Sequence, residues 1–158
     1  MGSAEDDVTK VIYKFYDALE DLLRARGTAA MDEIWHHTDY ATTSHPFGSW
    51  ARGWTEVKVN WEEGAAVFGV YKGHEHRSDR IGGIHDLKVV VLGDAAYGTS
   101  IYRSKLYMSD GGELNLSLNC TNIVHRIDGV WKIVHHHADQ AQLDWQAAIG
   151  AMVAAGHS

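Results

Sequence analysis

The stretch that decides the fold spans residues 113–138, ELNLSLNCTNIVHRIDGVWKIVHHHA. Every second residue from Leu114 to Cys120 is apolar, and this period of two is typical of a β-strand with one buried face. Asp128-Gly129 separates this run from a second apolar run and is a turn signal. The stretch therefore predicts a β-hairpin.

The alternation places one polar residue on the buried face of the first strand. Counting on from Cys120, the next inward position is Asn122, and Val124 then resumes the apolar pattern. Burying an amide without partners costs roughly 1–3 kcal/mol. We therefore expect Asn122 either to be satisfied by core backbone groups or to face a polar cavity.

The rest of the chain divides into helices followed by strands. Apolar residues at helical spacing predict helices over 8–26, 28–35 and from residue 54 onward. Strands are expected over 86–92, 95–108, 113–127 and 130–138, and a C-terminal helix over 141–154. Helices first and an antiparallel meander second give an α+β plan. We expect one domain over 1–158, with a core of about 8–139 and a C-terminal helix and tail over 140–158.

Composition excludes several classes of protein. The 158 residues include 14 Lys and Arg against 21 Asp and Glu, and the formal charge of −7 argues against a nucleic-acid partner or a membrane surface. The single Cys cannot form an internal disulfide, and the N-terminal residues lack the apolar core of a signal peptide. We therefore expect a cytoplasmic protein with no membrane partner.

A second candidate position lies in the loop TSHPFG, residues 43–48. Pro46 biases His45 toward an extended backbone, and Gly48 allows the chain to turn directly afterwards. An imidazole held beside such a turn is suited to act as a general base near neutral pH. The alternative is a loop histidine that is hydrogen-bonded to local backbone.

Histidine is unusually frequent, with 11 copies. In a regular strand, His135 and His137 share a face with Ile133, and His136 shares the other face with Val134. Alternate histidines of a strand can bind one ion, and His74 and His76 form a second pair. Neither pair has the third or fourth ligand that a zinc site requires, so the sequence predicts no metal and no cofactor.

Aromatic residues and one cation complete the candidates for a binding site. Trp50, Trp54 and Trp61 cluster around the loop and the third helix, and such residues line an apolar pocket well. Arg103 lies in the middle of a strand, where it either reaches water at an edge or binds an anionic ligand.

Three pieces of the chain carry a resemblance to a known superfamily. They are VIYKFYDAL, SHPFGSWARGW and TNIVHRIDGVWKIVHHHAD, which begin at Val11, Ser44 and Thr121. Their order resembles the nuclear-transport-factor-2-like superfamily, in its SnoaL-like and ketosteroid-isomerase-like branch. The resemblance implies a cone-shaped roll, in which a curved, mainly antiparallel sheet wraps N-terminal helices and leaves an apolar pocket. It also implies a homodimer that pairs through the open sheet face.

The resemblance also suggests roles for individual residues. His45 stands before Pro-x-Gly, where ketosteroid isomerases have the catalytic aspartate, and Asn122 stands at the place of their acidic oxyanion donor. The oxyanion tyrosine of the first helix aligns best with Phe15, or with Tyr16 after a shift of one residue. The pocket wall would include Trp61 and, on the final strand, a face formed by Val134, His136 and Ala138.

Together these observations predict a cofactor-independent enzyme that acts on an apolar or aromatic small molecule by proton transfer, of the isomerase, dehydratase or cyclase type. His45 is the expected base and Asn122 the expected oxyanion donor. The expected substrate contacts are Phe15, Tyr16, Trp50, Trp61, Arg103, Val134 and His136. The alternative is a non-catalytic ligand-binding or oligomerisation module of the same fold, because this fold carries both kinds of protein.

Overall fold

A computed structural model describes residues 2–46, 48–69, 77–107, 112–140 and 153–156. Of the C-terminal helix expected over 141–154, only the last two residues lie within these ranges, and both are helical. His74 and His76 lie outside the described residues.

Three helices come first, as the sequence predicts. Helix α1 spans Ala4–Leu23, α2 spans Ala29–Ile34 and α3 spans Trp54–Gly69. Ser3 and Asp6 form a capping box at the start of α1, in which each side chain accepts a hydrogen bond from the other residue's backbone N–H. Helix α1 buries the stripe that its 3.6-residue period defines, including Val8, Ile12 and Phe15.

Six strands form one sheet. Their bounds are β1 Thr42–Ser44, β2 Ala51–Arg52, β3 Arg77–Leu92, β4 Ala95–Tyr107, β5 Glu113–Ile127 and β6 Val130–Gln140. The order across the sheet is β2-β1-β6-β5-β4-β3. All neighbours are antiparallel except β1 and β6, which run parallel. The α+β fold class is confirmed, with N-terminal helices packed against a mostly antiparallel sheet.

Strand β3 is longer than the sequence indicates. It begins at Arg77, whereas the alternation of apolar residues predicts a start at Asp86. The pairing of β3 with β4 shifts register between Asp79 and Gly83 and again between His85 and Lys88. The second shift adds one residue to β3 and inverts its alternation, so the period of two in 86–92 does not continue back to Arg77.

Helix α1 packs against the inner face of this sheet. A glycine of β4 permits the close approach, because a Cβ at Gly98 would collide with Cδ1 of Ile12. The next inward residues of β4 are Ser100, Tyr102 and Ser104, all buried. Helix α1 thus covers a strip of polar and aromatic side chains rather than a purely apolar one.

Candidate functional site

Asn122 lies on the buried face of β5, as the alternation predicts, and is fully buried. Its partners are side chains rather than backbone groups. The Tyr16 hydroxyl donates to Asn122 Oδ1 at 3.0 Å and lies 3.3 Å from Ser100 Oγ. Asn122 Nδ2 lies 3.2 Å from His136 Nδ1. A chain of hydrogen bonds therefore runs from β4 through α1 and β5 to β6.

A β-bulge decides which histidine of β6 joins this chain. Val124 pairs with Ile133 but Ile123 pairs with His135, so Val134 is an extra residue opposite β5. The bulge puts Val134, His136 and Ala138 on the buried face together with Ile133. The expectation that His135 and His137 share a face with Ile133 is therefore wrong, while the grouping of His136 with Val134 is confirmed.

The amide of Asn122 determines which ring nitrogen of the neutral His136 carries the proton. An amide nitrogen only donates, so His136 Nδ1 accepts and the neutral ring carries its proton on Nε2. Burial, followed by the neighbouring imidazoles of His45, His135 and His137, holds the pKa of His136 well below its ordinary value. Within the described part of the chain, no group accepts a hydrogen bond from Nε2.

Helix α3 fixes the ring of His45, and the ring nitrogen left free among the described residues is the opposite one from that in His136. Its carbonyl accepts a hydrogen bond from the Gly48 N–H at 3.1 Å, which closes the turn, and its Nε2 lies 2.7 Å from Asn60 Oδ1. Because the amide oxygen accepts, Nε2 carries the proton and Nδ1 is the basic atom of the ring. The ring partner is thus a side chain from a distant helix, not local backbone.

Sequence reasoning missed Asn60, although a signal was present. Asn60 follows Val57 by three residues and immediately precedes Trp61, so it lies at the edge of the buried stripe of α3. Ser100 was missed as well, and the period of two along β4 places it inward beside Gly98 and Tyr102.

Aromatic rings join the two imidazoles. The ring of Trp61 lies 5.5 Å from that of His45 and 6.2 Å from that of His136, measured between centroids. Phe15 packs on His136 at 4.5 Å and on Trp61 at 6.0 Å. We call this group, His45, His136, Trp61 and Phe15, the histidine cluster.

Two polar atoms, one within the histidine cluster and one next to it, are buried without a hydrogen-bond partner among the described residues. They are Nε1 of Trp61, whose side chain is 3% exposed, and Oγ1 of Thr43, which is fully buried. Thr43 pairs with His136 across β1 and β6, so the two residues are neighbours in the sheet. Such orphaned atoms are rare in proteins.

Phe15 and Tyr16, the two candidates for the position of the oxyanion tyrosine, contact different residues of the site. Tyr16 supplies the hydroxyl that bonds Asn122, and Phe15 contacts the ring of His136. Burial raises the pKa of Tyr16, so its hydroxyl stays protonated and remains a donor. The ring of Tyr16 stacks on Tyr102 at 5.2 Å, and the Tyr102 hydroxyl donates to the buried carboxylate of Glu20.

Two of the expected substrate contacts lie away from the histidine cluster. Trp50 is 44% exposed and packs against His135 and His137, the histidines that the bulge turns outward. Arg103 is exposed on β4, opposite Ser117 of β5. The structure brings together His45, Phe15, Tyr16, Trp61, Asn122 and His136. Val134 is buried on β6 but is not part of the core cluster that contains Phe15, Tyr16 and Trp61.

The outer face of the sheet carries a groove of about 380 Å³. A row of cross-strand neighbours lines it, consisting of Lys88, Thr99, Thr121 and His137. Among the described residues, no three potential metal ligands lie together. None of the described helices combines the length and the apolar character needed to cross a membrane.

Solved structures with this fold have diverse descriptions. An NTF2-like superfamily protein from Salmonella enterica has a TM-score of 0.65 at 15% identity, covering 89% of this chain and 92% of that one. A candidate dehydratase of the NTF2-like family from Streptomyces avermitilis has a TM-score of 0.64 at 19% identity, covering 88% and 96%. The CaMKII hub of S. rosetta has a TM-score of 0.63 at 18% identity, covering 89% and 99%.

One curated relative is similar in sequence. The F-box protein SKIP8 of Arabidopsis thaliana is 26% identical over 142 residues, which cover 89% of this chain. The chain spans about half the length of this relative, 54%. Residues 11–141 match the model of the SnoaL-like domain, which is most of the chain. The chain therefore belongs to the SnoaL-like domain family and has the fold of the NTF2-like superfamily.

Proposed function

We propose that the chain is a small-molecule enzyme that moves a proton on an apolar or aromatic substrate, with His45 as the base. One observation carries the proposal. Two imidazoles pack on the same indole, and the nitrogen of each ring that has no partner among the described residues suits a different role: Nδ1 of His45 can accept a proton, while Nε2–H of His136 can donate a hydrogen bond. Acid–base chemistry needs such a pair of groups with different roles.

In this proposal each residue of the site has one role. His45 Nδ1 takes a proton from the substrate, and His136 Nε2–H stabilises the oxygen on which negative charge develops. Asn122 is a positioning residue, because it is fully buried and its hydrogen bonds hold Tyr16 and His136. Phe15 and Trp61 form the wall against which the substrate packs. Val134, which is buried, stays a proposed substrate contact on the resemblance alone.

The reaction type stays open between isomerisation, elimination of water and cyclisation, since each begins with removal of a proton. Similarity to a candidate dehydratase supports elimination as one of these types. The proposed enzyme needs no cofactor. We retain the cytoplasm as its proposed compartment, on the argument from a single cysteine.

A general reporter reaction for proton removal tests the role of His45 without knowledge of the natural substrate. Ring opening of 5-nitrobenzisoxazole requires removal of one C–H proton: the N–O bond breaks, and a nitrile and a coloured phenolate form. We expect the chain to accelerate this reaction and His45→Ala to lower the rate about 10²- to 10⁴-fold, the contribution of a positioned base. His135→Ala is the matched control, because His135 lies on the opposite face of β6.

Thermal unfolding of both variants checks that the fold is intact. Equal rates for His45→Ala and His135→Ala, with both proteins folded, would show that His45 is not the base.

A second candidate is a non-catalytic module that binds a small ligand or assembles with other copies. The resemblance to the S. rosetta hub favours it, as does a cross-strand row of half-exposed apolar residues on the outer sheet face, Val90, Tyr97 and Ile123. In either case we propose a homodimer through this face. Light scattering of the wild type against Tyr97→Glu tests it: a dimer that becomes a monomer is expected, and a mass unchanged by the substitution would contradict it.

A further inference from the structure

We propose that His135 and His137, on the outer face of the sheet, form a binding site for one divalent transition-metal ion, and that Cu²⁺ binds there most tightly. The bulge in β6 turns these two rings away from His136, so this site is separate from the proposed active site. The inference goes beyond the proposed function and does not depend on it.

The two imidazoles occupy consecutive outward positions of β6. Residues two apart on a strand lie about 6–7 Å apart along it, which is close enough for two imidazole side chains to converge on one ion. Both rings also pack on the same indole: the ring centroid of Trp50 lies 6.0 Å from that of His135 and 5.4 Å from that of His137. This shared neighbour keeps the two rings close to each other.

Thr42 orients the ring of His135. The two residues are cross-strand neighbours in β1 and β6, and Thr42 Oγ1 lies 2.7 Å from His135 Nδ1. When Nδ1 carries the proton and donates it to this hydroxyl, Nε2 keeps its lone pair for an ion. Histidines that bind metals commonly donate their other ring N–H to a polar neighbour, which fixes the orientation of the ring.

The ring of His137 faces open space. Within the described part of the chain it has no hydrogen-bond partner, and it lines the outer groove of about 380 Å³. An ion held by the pair therefore has room for water molecules in its remaining coordination positions. Asp139 lines the same groove and its negative charge favours a cation, whereas the guanidinium of Arg52, 6.0 Å from the Trp50 ring, opposes one.

The donor set favours Cu²⁺ over Zn²⁺. The sequence predicts no metal because a zinc site requires a third or fourth protein ligand, and no three potential ligands lie together among the described residues. Cu²⁺ prefers a tetragonal arrangement of nitrogen and oxygen donors, which two imidazoles and water can supply. Among the divalent ions of the first transition row, copper also binds a given site of this kind most tightly.

Titration of the untagged, metal-free chain with Cu²⁺ tests the site. Bound Cu²⁺ quenches the fluorescence of a nearby indole, so Trp50 reports binding, and electron paramagnetic resonance shows the nitrogen ligands directly. We expect one ion per chain, splitting from two imidazole nitrogens, and an affinity for Zn²⁺ at least about tenfold lower. His135→Ala and His137→Ala should each weaken Cu²⁺ binding at least about tenfold, and Thr42→Val about tenfold.

Three control variants separate the pair from its surroundings. His37→Ala removes an exposed imidazole elsewhere and should bind Cu²⁺ like the wild type. Trp50→Phe should lose most of the quenching and keep the resonance spectrum. Tyr97→Glu should bind Cu²⁺ at least as tightly as the wild type, because one chain supplies both ligands. Thermal unfolding without metal checks the fold of each variant, and His135→Gln and His137→Gln replace an alanine variant that does not fold.

Three results would overturn the inference. The first is Cu²⁺ affinity that neither His135 nor His137 substitutions lower, which would show an adventitious ion only. The second is a spectrum without two imidazole nitrogens, and the third is tighter binding of Zn²⁺ than of Cu²⁺. The nitrobenzisoxazole assay on the metal-free chain succeeds or fails separately, since His45 lies outside this pair.

Discussion

Lowering the pH from 8 to 5.5 is expected to destabilise the fold through one buried imidazole, His136. Its pKa in the folded chain lies well below the ordinary value of 6.5, because burial and three neighbouring histidines oppose its positive charge. In the unfolded chain the same ring titrates near 6.5. Below that pH the ring of the unfolded chain binds a proton, whereas the ring of the folded chain stays neutral. The free energy of unfolding therefore decreases as the pH falls toward the folded-state pKa.

The size of this effect follows from the unfolded state alone. At pH 5.5, about ten of every eleven unfolded chains carry the proton, which stabilises the unfolded state by RT ln 11, about 1.4 kcal/mol. Urea unfolding at pH 8, 6.5 and 5.5 measures the loss. With a slope of about 1–3 kcal/mol per molar urea, the midpoint should move by roughly 0.5–1.4 M from this group.

Two variants isolate the contribution of His136. His136→Asn keeps an amide oxygen near the position of Nδ1, where Asn122 donates, and removes the titrating ring. Between pH 8 and pH 5.5, its free energy of unfolding should decrease by about 1.4 kcal/mol less than that of the wild type. His37→Asn removes an exposed histidine that stacks on Trp54 and should follow the wild type. If His136→Asn loses as much stability as the wild type, His136 is not the buried neutral ring described here.

Three further substitutions test the neighbours of this ring. Tyr16→Phe removes the hydroxyl that bonds Asn122 and Ser100 and should cost about 1–2 kcal/mol in urea unfolding, so unchanged stability would contradict the hydrogen-bond chain. Asn60→Leu removes the hydrogen-bond partner of His45 Nε2. It should lower nitrobenzisoxazole turnover about tenfold and leave the free energy of unfolding nearly unchanged. An unchanged rate would show that Asn60 does not orient the base. Gly98→Ala should cost about 1–3 kcal/mol, because its Cβ meets Ile12, and a neutral effect would show that α1 has room to move.

The period of two along β5 was sufficient to place Asn122 on the buried face. It succeeded because β4 and β5 pair without a break in register from end to end, so alternation in the sequence corresponds to alternation in space. The same rule misplaced His135 and His137 relative to Ile133, because one extra residue in β6 inverts the facing of everything after it. A bulge of this kind leaves no mark in the local residue pattern.

The partners of the two imidazoles were harder to predict than the imidazoles themselves. Asn60 is 15 positions from His45 in the sequence, and their contact depends on the path of the intervening loop. Tyr16 and Phe15 are adjacent on α1, and both are fully buried, so the helical stripe alone does not say which one bonds Asn122. The choice depends on how α1 sits on the sheet, where the missing Cβ of Gly98 leaves room for Ile12.

The most direct test of the central claim is the protonation of the two imidazole rings, read from a long-range ¹H–¹⁵N spectrum at pH 8. We predict that the neutral form of each ring, His45 and His136, carries its proton on Nε2, which leaves Nδ1 of His45 as a base and Nε2–H of His136 as a donor. On lowering the pH to 5.5, the signals of His136 should stay those of a neutral ring. A neutral ring of either histidine with its proton on Nδ1, or a His136 that is cationic at pH 5.5, would contradict the account.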